Sequence, residues 1–159
     1  MTIRKFAEKD LPQVLELCRE VRKYHIDILD GYFTEQDDEF EKLGFLASLV
    51  DDNVIALVAE NSDGLVEGYL LADKKDVPYL IESKVAHISN FGVAEALRGK
   101  GIGKKLMDAF FEICKQEKID EIRFGVYNKN INAYNFYEHY GFEALEQRMI
   151  FKMNNREKL

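Results

Sequence analysis

The sequence predicts an α/β fold for a chain of 159 residues, and three observations lead to that prediction. Apolar residues recur with a 3.6-residue period over 11–28 and 102–117, which is typical of half-buried helices. Short β-type runs, bounded by turn-forming residues, lie between and around these segments. No repeat, low-complexity run or linker divides the chain, so we expect one domain over residues 1–159, with 154–159 as a frayed tail.

The predicted order of elements is β-α-α-β-β-β-α-β-α-β-β. Asp10 is expected to cap the first helix, with Pro12 in its first turn and Gly31 as its stop. The stretch Asn61-Ser62-Asp63-Gly64 predicts the turn of a hairpin, and the polar stretch 73–84 predicts a long connection. The elements are strand 2–6, helices 11–28 and 35–47, strands 53–60, 65–72 and 86–93, helix 102–117, strand 120–126, helix 131–140, and strands 143–146 and 148–153.

The two C-terminal helices have distinct signals. The helix at 102–117 has a charged face opposite an apolar one, and the helix at 131–140 is followed by Gly141, which is expected at its C′ position. The residues expected on the apolar face of the first of these helices are Ile102, Leu106, Ala109, Phe110 and Ile113.

Composition and charge exclude several classes of protein. A net charge of −7 argues against a nucleic-acid partner. No apolar stretch approaches the roughly 20 residues that span a bilayer, and the N-terminus lacks the apolar core of a signal peptide. We therefore expect a cytoplasmic protein that does not associate with membranes. Cys18 and Cys114 are expected to be buried thiols, and no Cys/His spacing predicts a metal site.

The most informative motif is Arg98-Gly99-Lys100-Gly101-Ile102-Gly103, which joins a β-type run to an amphipathic helix. Its glycines expose backbone N–H groups beside the free donors of a helix N-terminus, an arrangement suited to a pyrophosphate. The P-loop pattern fails, because Lys105 stands where Ser or Thr is required and Arg98 where the first glycine is required. The dinucleotide pattern G-x-G-x-x-G fails in both registers, at Lys104 and at Leu106.

The motif instead has the form R-x-x-G-x-G, and with it the chain resembles the GNAT superfamily of N-acetyltransferases. Residues 126–142 are similar to the second family signature, V-x-x-x-N-x-x-A-x-x-x-Y-x-x-x-G-F. The two motifs occur in the family order, and together they make the resemblance specific over about residues 86–142. It implies a mixed, mostly antiparallel sheet, splayed between the fourth and fifth strands and flanked by helices, with the cofactor in the opening.

The resemblance implies transfer of an acetyl group from acetyl-CoA, a co-substrate, to a primary amine. Main-chain N–H groups of the glycine loop would bind the pyrophosphate of coenzyme A, and cationic side chains would add charge-assisted contacts. The main chain at the end of the preceding strand would pair with the pantetheine arm. The residues implied in cofactor binding are Phe91, Val93, Arg98, Gly99, Lys100, Gly101, Ile102, Gly103, Lys104, Asn130, Ala133 and Tyr137.

Tyr137 is implied as the general acid, because the family's tyrosine at this place protonates the departing thiolate. Many members place a carboxylate base on the strand before the glycine loop, but residues 87–91 contain none. Asn90, with Ser89, would order a water that takes the proton, and His87 is a candidate base because it titrates in the right range. Four further candidate bases stay open, and these are His25, Asp27, Tyr79 and Glu82.

Other functions stay open beside acetyl transfer. The chain could be a non-catalytic coenzyme-A-binding sensor or interaction module, or a transferase for a longer acyl group. The acceptor could be a small-molecule amine or an amine of a protein or peptide, and residues 24–33 and 73–84 are expected to select it. A homodimer is compatible with the sequence.

Overall fold

The computed structural model of the chain describes residues 1–30, 32–34, 37–81 and 83–151. They fall into two compact units, Met1–Gly125 and the described residues from Val126 onward. The elements are β1 (Thr2–Lys5), α1 (Leu11–Ile28), α2 (Glu39–Ala47), β2 (Val54–Glu60), β3 (Val66–Asp76), β4 (Lys84–Val93), α3 (Ile102–Gln116), β5 (Glu121–Arg123) and α4 (Ile131–His139). Short 3₁₀ turns at Glu8–Asp10 and Glu95–Leu97 precede α1 and α3.

A five-stranded sheet in the order β1-β2-β3-β4-β5 forms the centre of the first unit. Neighbouring strands are antiparallel except β4 and β5, which are parallel. A parallel pair needs a crossover connection, and α3 provides it. The predicted α/β class with a mostly antiparallel sheet is therefore confirmed.

The sheet parts between its fourth and fifth strands, as predicted. The pairing of β4 with β5 covers three residue pairs and ends at His87 opposite Arg123. Beyond that point β4 continues to Val93 and pairs with β3. A bulge lies in this part of β4, because Ile88 pairs with Ala72 and Asn90 with Leu71, which leaves Ser89 as the extra residue.

Helices cover both faces of the sheet. The ring of Tyr69 packs against Phe45 of α2, with 5.6 Å between ring centroids, in the same core as Val14 of α1. The neighbouring residue on β3, Gly68, faces Leu106 of α3, whose side chain lies 3.1 Å from the position of an added Cβ. Since successive strand residues point to opposite faces, α1 and α2 lie on one face and α3 on the other.

Several predicted boundaries are wrong. Residues 73–76 continue β3 and pair with 84–87 of β4, so the predicted long connection shortens to residues 77–83. The predicted strand 120–126 is limited to Glu121–Arg123. Within the residues described up to 151, no strand forms at 143–146 or from 148 onward.

The helices also differ in detail from prediction. The second helix begins at Glu39, and the first predicted residues of that helix, 35 and 36, lie outside the described residues, as does the predicted stop at Gly31. In α3, Ala109 and Ile113 are half-buried, whereas Met107 and Cys114 are buried because the buried face is turned toward them. The prediction that both cysteines are buried is confirmed.

Asp10 occupies the predicted N-cap position of α1, but its side chain makes no capping bond to this helix. The carboxylate instead accepts hydrogen bonds from Arg4 at 2.6 and 2.8 Å and from the Ala7 N–H at 2.9 Å. Arg4 lowers the pKa of this buried carboxyl below its usual value of 3.8. The Asp10 side chain therefore fixes the β1–α1 connection.

The second unit contains α4. Asn130 caps this helix, with Oδ1 accepting from the Ala133 N–H at 3.2 Å. Gly141 follows it with a φ of 85°, a left-handed conformation that suits the predicted C′ position. Among the helices described, none is long and apolar enough to cross a membrane.

Candidate active site

The glycine loop lies where β4 ends and α3 begins. After the 3₁₀ turn at Glu95–Leu97, Arg98 is extended, and Gly99 and Gly101 both have a positive φ, of 77° and 82°. Gly101 is the N-cap of α3. Left-handed backbone at two positions of so short a turn is accessible to glycine at little cost, which explains the alternation of glycines in the motif.

Open space surrounds both of these glycines. A Cβ added at Gly99 or at Gly101 would meet no atom within 4 Å. The two glycines are therefore explained by their left-handed backbone and not by crowding inside the protein, and they leave the surface of the loop open.

The N-terminus of α3 supplies the hydrogen-bond donors of this surface. The Lys105 N–H donates to the Gly101 carbonyl at 3.1 Å, which is the first helical bond of α3. Ile102 and Gly103 precede it in the first turn, where a helix leaves its N–H groups without an intrahelical acceptor. The helix dipole adds partial positive charge at the same place, so an anion is favoured there.

The end of β4 is the strand segment that leads into this loop. Phe91 and Val93 are half-buried, and Gly92 between them is buried. This segment lies beyond the last residue pair that joins β4 to β5. Its main chain therefore lies along the opening of the sheet, as the family resemblance implies for the segment that pairs with the cofactor arm.

The two cations named with the loop make different contacts. The Nε of Arg98 donates to the Val93 carbonyl at 3.2 Å, and its guanidinium lies 5.5 Å from the centre of the Tyr24 ring in α1. Lys104, exposed on the first turn of α3, pairs with Asp108 at 2.8 Å. Lys100 is exposed on the loop itself.

The bulge in β4 brings together the residues that were expected to order a water. Ser89 is exposed, and its hydroxyl donates to the Leu71 carbonyl at 3.3 Å. Asn90 is half-buried, and its Oδ1 accepts from the Tyr69 hydroxyl at 2.9 Å. The Nδ2 of Asn90 lies 3.8 Å from the Cys18 sulfur. The amide of Asn90 is thus held from two sides, on the sheet face that α1 covers.

The structure separates the candidate bases. His87 is exposed at the last β4–β5 residue pair, where the sheet parts. His25 is half-buried in the last turns of α1, and burial, followed by the charge of Arg98, lowers its pKa below 6.5. Asp27 is exposed on the same helix.

The connection between β3 and β4 lies at the other end of β4. Tyr79 is exposed there, separated from the glycine loop by the length of β4, which at ten residues is about 30 Å. Glu82 lies outside the described residues. The structure therefore does not bring Tyr79 to the glycine loop.

The second motif forms α4 and its flanking turns in the second unit. Ala133 is half-buried, and Tyr137 is 8% exposed. The Tyr137 ring packs edge-on against Phe142 and Phe136, with centroids 5.7 and 5.3 Å apart. Burial raises the pKa of its hydroxyl above the ordinary value of 10, so the phenol is a proton donor throughout the neutral range.

Comparison with known proteins decides the family. The chain matches the family model described as Acetyltransferase (GNAT) family over residues 15–142. This chain belongs to the GNAT acetyltransferase family. No curated protein matches it.

Solved structures agree with this assignment of the GNAT fold. A tetramutant of BH1408 from Bacillus halodurans has a TM-score of 0.87 at 25% identity, with 96% of this chain and 100% of that chain covered. A GNAT-family acetyltransferase from Staphylococcus aureus Mu50 has a TM-score of 0.76 at 20% identity, covering 92% and 86%. The aminoglycoside 6′-N-acetyltransferase AAC(6′)-Ig from Acinetobacter haemolyticus has a TM-score of 0.73 at 19% identity, covering 96% and 97%.

Sequence reasoning missed two partners of the candidate site in this GNAT chain. Tyr69 holds Asn90 from 21 residues away, and Glu20 of α1 accepts a 2.8 Å hydrogen bond from the Glu95 N–H just before the glycine loop. Both contacts depend on how α1 and β3 pack against β4. No spacing along the chain signals either of them.

Proposed function

We propose that this chain is an N-acetyltransferase that transfers the acetyl group of acetyl-CoA to a primary amine. The observation that carries the proposal is the pair of left-handed glycines, Gly99 and Gly101, which stand in open space at the N-terminus of α3. The end of β4 supports it, because the strand continues to Val93 beyond its last pair with β5, and an extended arm can pair with the edge of a sheet.

The residues of the glycine loop would hold the cofactor. Main-chain N–H groups from Gly99 to Lys104 would bind the pyrophosphate, and main chain at Phe91 and Val93 would fix the arm. Bound in this way, acetyl-CoA supplies an activated acyl group as a thioester. The chain's contribution is to position that group and the amine in one complex, so that the amine attacks directly.

Proton transfer is assigned to a few side chains. Tyr137 is proposed to donate a proton to the departing thiolate, and its raised pKa keeps the hydroxyl protonated for this purpose. Removal of the amine proton is assigned to a water ordered by Asn90 and Ser89, or to His87 at the point where β4 and β5 part. Asn130 and Ala133 are proposed to contact the cofactor arm, and no metal takes part.

A second candidate is a non-catalytic module that binds coenzyme A. The sequence observation that favours it is the absence of a carboxylate from β4, where many relatives place a base. A transferase for a longer acyl group is a third reading of the same site. The acceptor itself is proposed to be a small-molecule amine or an amine of a protein or peptide, and the protein is proposed to act in the cytoplasm.

Cofactor binding is tested first, by calorimetric titration with coenzyme A. Gly101→Val forces a branched side chain into left-handed backbone, and we expect at least about a tenfold loss of affinity, or ~1.4 kcal/mol. Gly64→Val is the matched control, because Gly64 has the same φ of 82° in the hairpin turn. Tight binding to folded Gly101→Val, equal to that of the control, would contradict the proposal.

Catalysis is tested by following free coenzyme A with a thiol reagent, with acetyl-CoA and a panel of amines. The panel contains small amines, polyamines, aminoglycosides, amino acids and peptides with free N-termini. The protein's own thiols are buried, and burial raises the pKa of Cys18 to about 12 and of Cys114 to about 11, so they give little background. Amine-dependent release supports the transferase, whereas binding without release under every acceptor supports the non-catalytic module. Longer acyl-CoA donors in the same assay test the third reading.

A further inference from the structure

Arg98 contacts the end of α1. Its Nε donates to the Val93 carbonyl at 3.2 Å, and its guanidinium lies over the Tyr24 ring at 5.5 Å. This distance is within the range of a cation–π contact, for which the planar guanidinium is well suited. One side chain thereby joins the last residue of β4, the first residue of the glycine loop and α1.

Two further contacts pack the same face of α1 against the end of β4 and the turn that follows it. A Cβ added at Gly92 would lie 2.7 Å from the Val21 side chain, so α1 approaches the β4 backbone closely there. The Glu20 carboxylate accepts from the Glu95 N–H at 2.8 Å, in the turn before the loop. Because residues four apart lie on one helix face, Glu20 and Tyr24 lie on the same face of α1. Tyr24 is one turn further along the helix, where it contacts Arg98.

The positive charge of Arg98 also acts on His25, the next residue of α1. His25 is half-buried, and its ring lies 6.0 Å from that of Tyr24. Burial lowers its pKa, and the positive charge of Arg98 is the charged group that lowers it further. The position and the charge state of this helix end are therefore both linked to the first residue of the glycine motif.

We propose that Arg98 is a positioning residue for the acceptor side: it fixes Tyr24 and His25 at the end of α1 against the glycine loop, and main-chain groups hold the cofactor phosphates without its side chain. The inference rests on the proposed function in treating the end of α1 as part of the acceptor side. The contacts of Arg98 with Val93 and Tyr24 carry it.

The first test measures coenzyme A binding by calorimetry in Arg98→Met and Arg98→Lys. A side chain that bound the pyrophosphate would contribute a charge-assisted hydrogen bond, and its loss would weaken binding about tenfold or more. We instead expect the Kd for coenzyme A to change less than about threefold in both Arg98 variants. Lys115→Met is the control, because it removes one positive charge from the last turn of α3, and the same small change is expected there. A tenfold loss in Arg98→Met alone would overturn the proposal.

The second test follows the ring protons of His25 by NMR as a function of pH, in the free protein. The chain has three histidines, and the His25→Gln variant assigns the resonance. In Arg98→Met the His25 titration is expected to move upward, toward the ordinary value of 6.5, and to move clearly less in Lys115→Met. An unchanged His25 titration in folded Arg98→Met would overturn the proposal, and a merely structural role elsewhere would not produce the shift.

The third test uses the amine that gives turnover in the wild-type chain. Arg98→Met and Tyr24→Leu are each expected to raise the KM for that amine several-fold with a smaller change in the KM for acetyl-CoA, and the double variant should add little to either. A rise confined to the KM for acetyl-CoA would contradict the inference. If no amine supports turnover in the wild type, the transferase proposal fails, while the NMR titration still decides the role of Arg98.

Discussion

The hydroxyl of Tyr69 donates a 2.9 Å hydrogen bond to Oδ1 of Asn90, across the pair of strands that contains the β4 bulge. Tyr69 is fully buried, and burial raises its pKa well above 10, so the hydroxyl stays a donor. This bond fixes which end of the Asn90 amide faces the core. A residue proposed to order a catalytic water is thus oriented by a side chain of the core.

Tyr69→Phe is expected to lower the free energy of unfolding by about 1 kcal/mol, because the amide of Asn90 loses its donor in a half-buried place. Urea unfolding measures the difference. Tyr79→Phe, at a site that is 85% exposed, serves as the control and should leave the midpoint unchanged. Equal stability of the wild type and Tyr69→Phe would show that water replaces the lost donor without cost.

Gly92→Ala is expected to destabilise the protein by about 1–3 kcal/mol, the usual cost of overpacking. The added Cβ would lie 2.7 Å from the Val21 side chain and 2.8 Å from the Tyr69 ring, so α1 or the ring must shift. Gly125→Ala is the matched control, because a Cβ there meets nothing within 4 Å. Thermal unfolding of the two variants should separate them, and equal melting temperatures would contradict the packing described for α1.

The fold could be predicted from sequence wherever burial imposes a period on the apolar residues. The extension of β3 over residues 73–76 could not be predicted in this way, because Asp73-Lys74-Lys75-Asp76 has the composition of a loop. These residues form a ribbon with 84–87, in which β4 supplies the buried apolar residues Val85 and Ala86. Residues 73–76 contribute main-chain pairing and an ion pair between Lys74 and Glu117. The opposite error occurs after Gly141, where strands are predicted at 143–146 and 148–153 and Leu145 is instead exposed outside any strand.

The candidate site shows the same limit. The conformation of the glycine loop follows from local backbone freedom, so Gly99 and Gly101 could be recognised from their spacing alone. The contact of the Arg98 side chain with α1 could not be predicted from the sequence, because it depends on where α1 packs against β4. The orientation of Asn90 depends in the same way on a tyrosine of another strand.

Acid should remove the contribution of Asp10 to stability. Arg4 lowers the pKa of this carboxyl in the folded state, so the contribution is complete above the unfolded value of 3.8 and is lost as pH falls through the lower folded value. Near neutrality, Asp10→Asn is expected to lose about 2 kcal/mol of unfolding free energy. Urea midpoints of the wild type and the variant should therefore converge as pH falls below 3.8. Asp52→Asn, at an exposed position, controls for the loss of one charge, and a gap that stayed constant down to low pH would refute the assignment.

Tyr137→Phe is expected to lower turnover by about 10²–10⁴-fold, the usual contribution of a positioned general acid, with coenzyme A affinity changed less than about threefold. The substitution removes the hydroxyl and keeps the ring that packs against Phe142 and Phe136. Because burial raises the pKa of Tyr137 above 10, ionisation of this group should cause no loss of turnover in the wild type at the usual alkaline assay pH. Tyr134→Phe changes a tyrosine of the same helix that is 45% exposed, and it should keep wild-type turnover. Turnover of the wild type, Tyr137→Phe and Tyr134→Phe is measured as amine-dependent release of coenzyme A. Equal turnover in Tyr137→Phe and the wild type would contradict the proposed acid role.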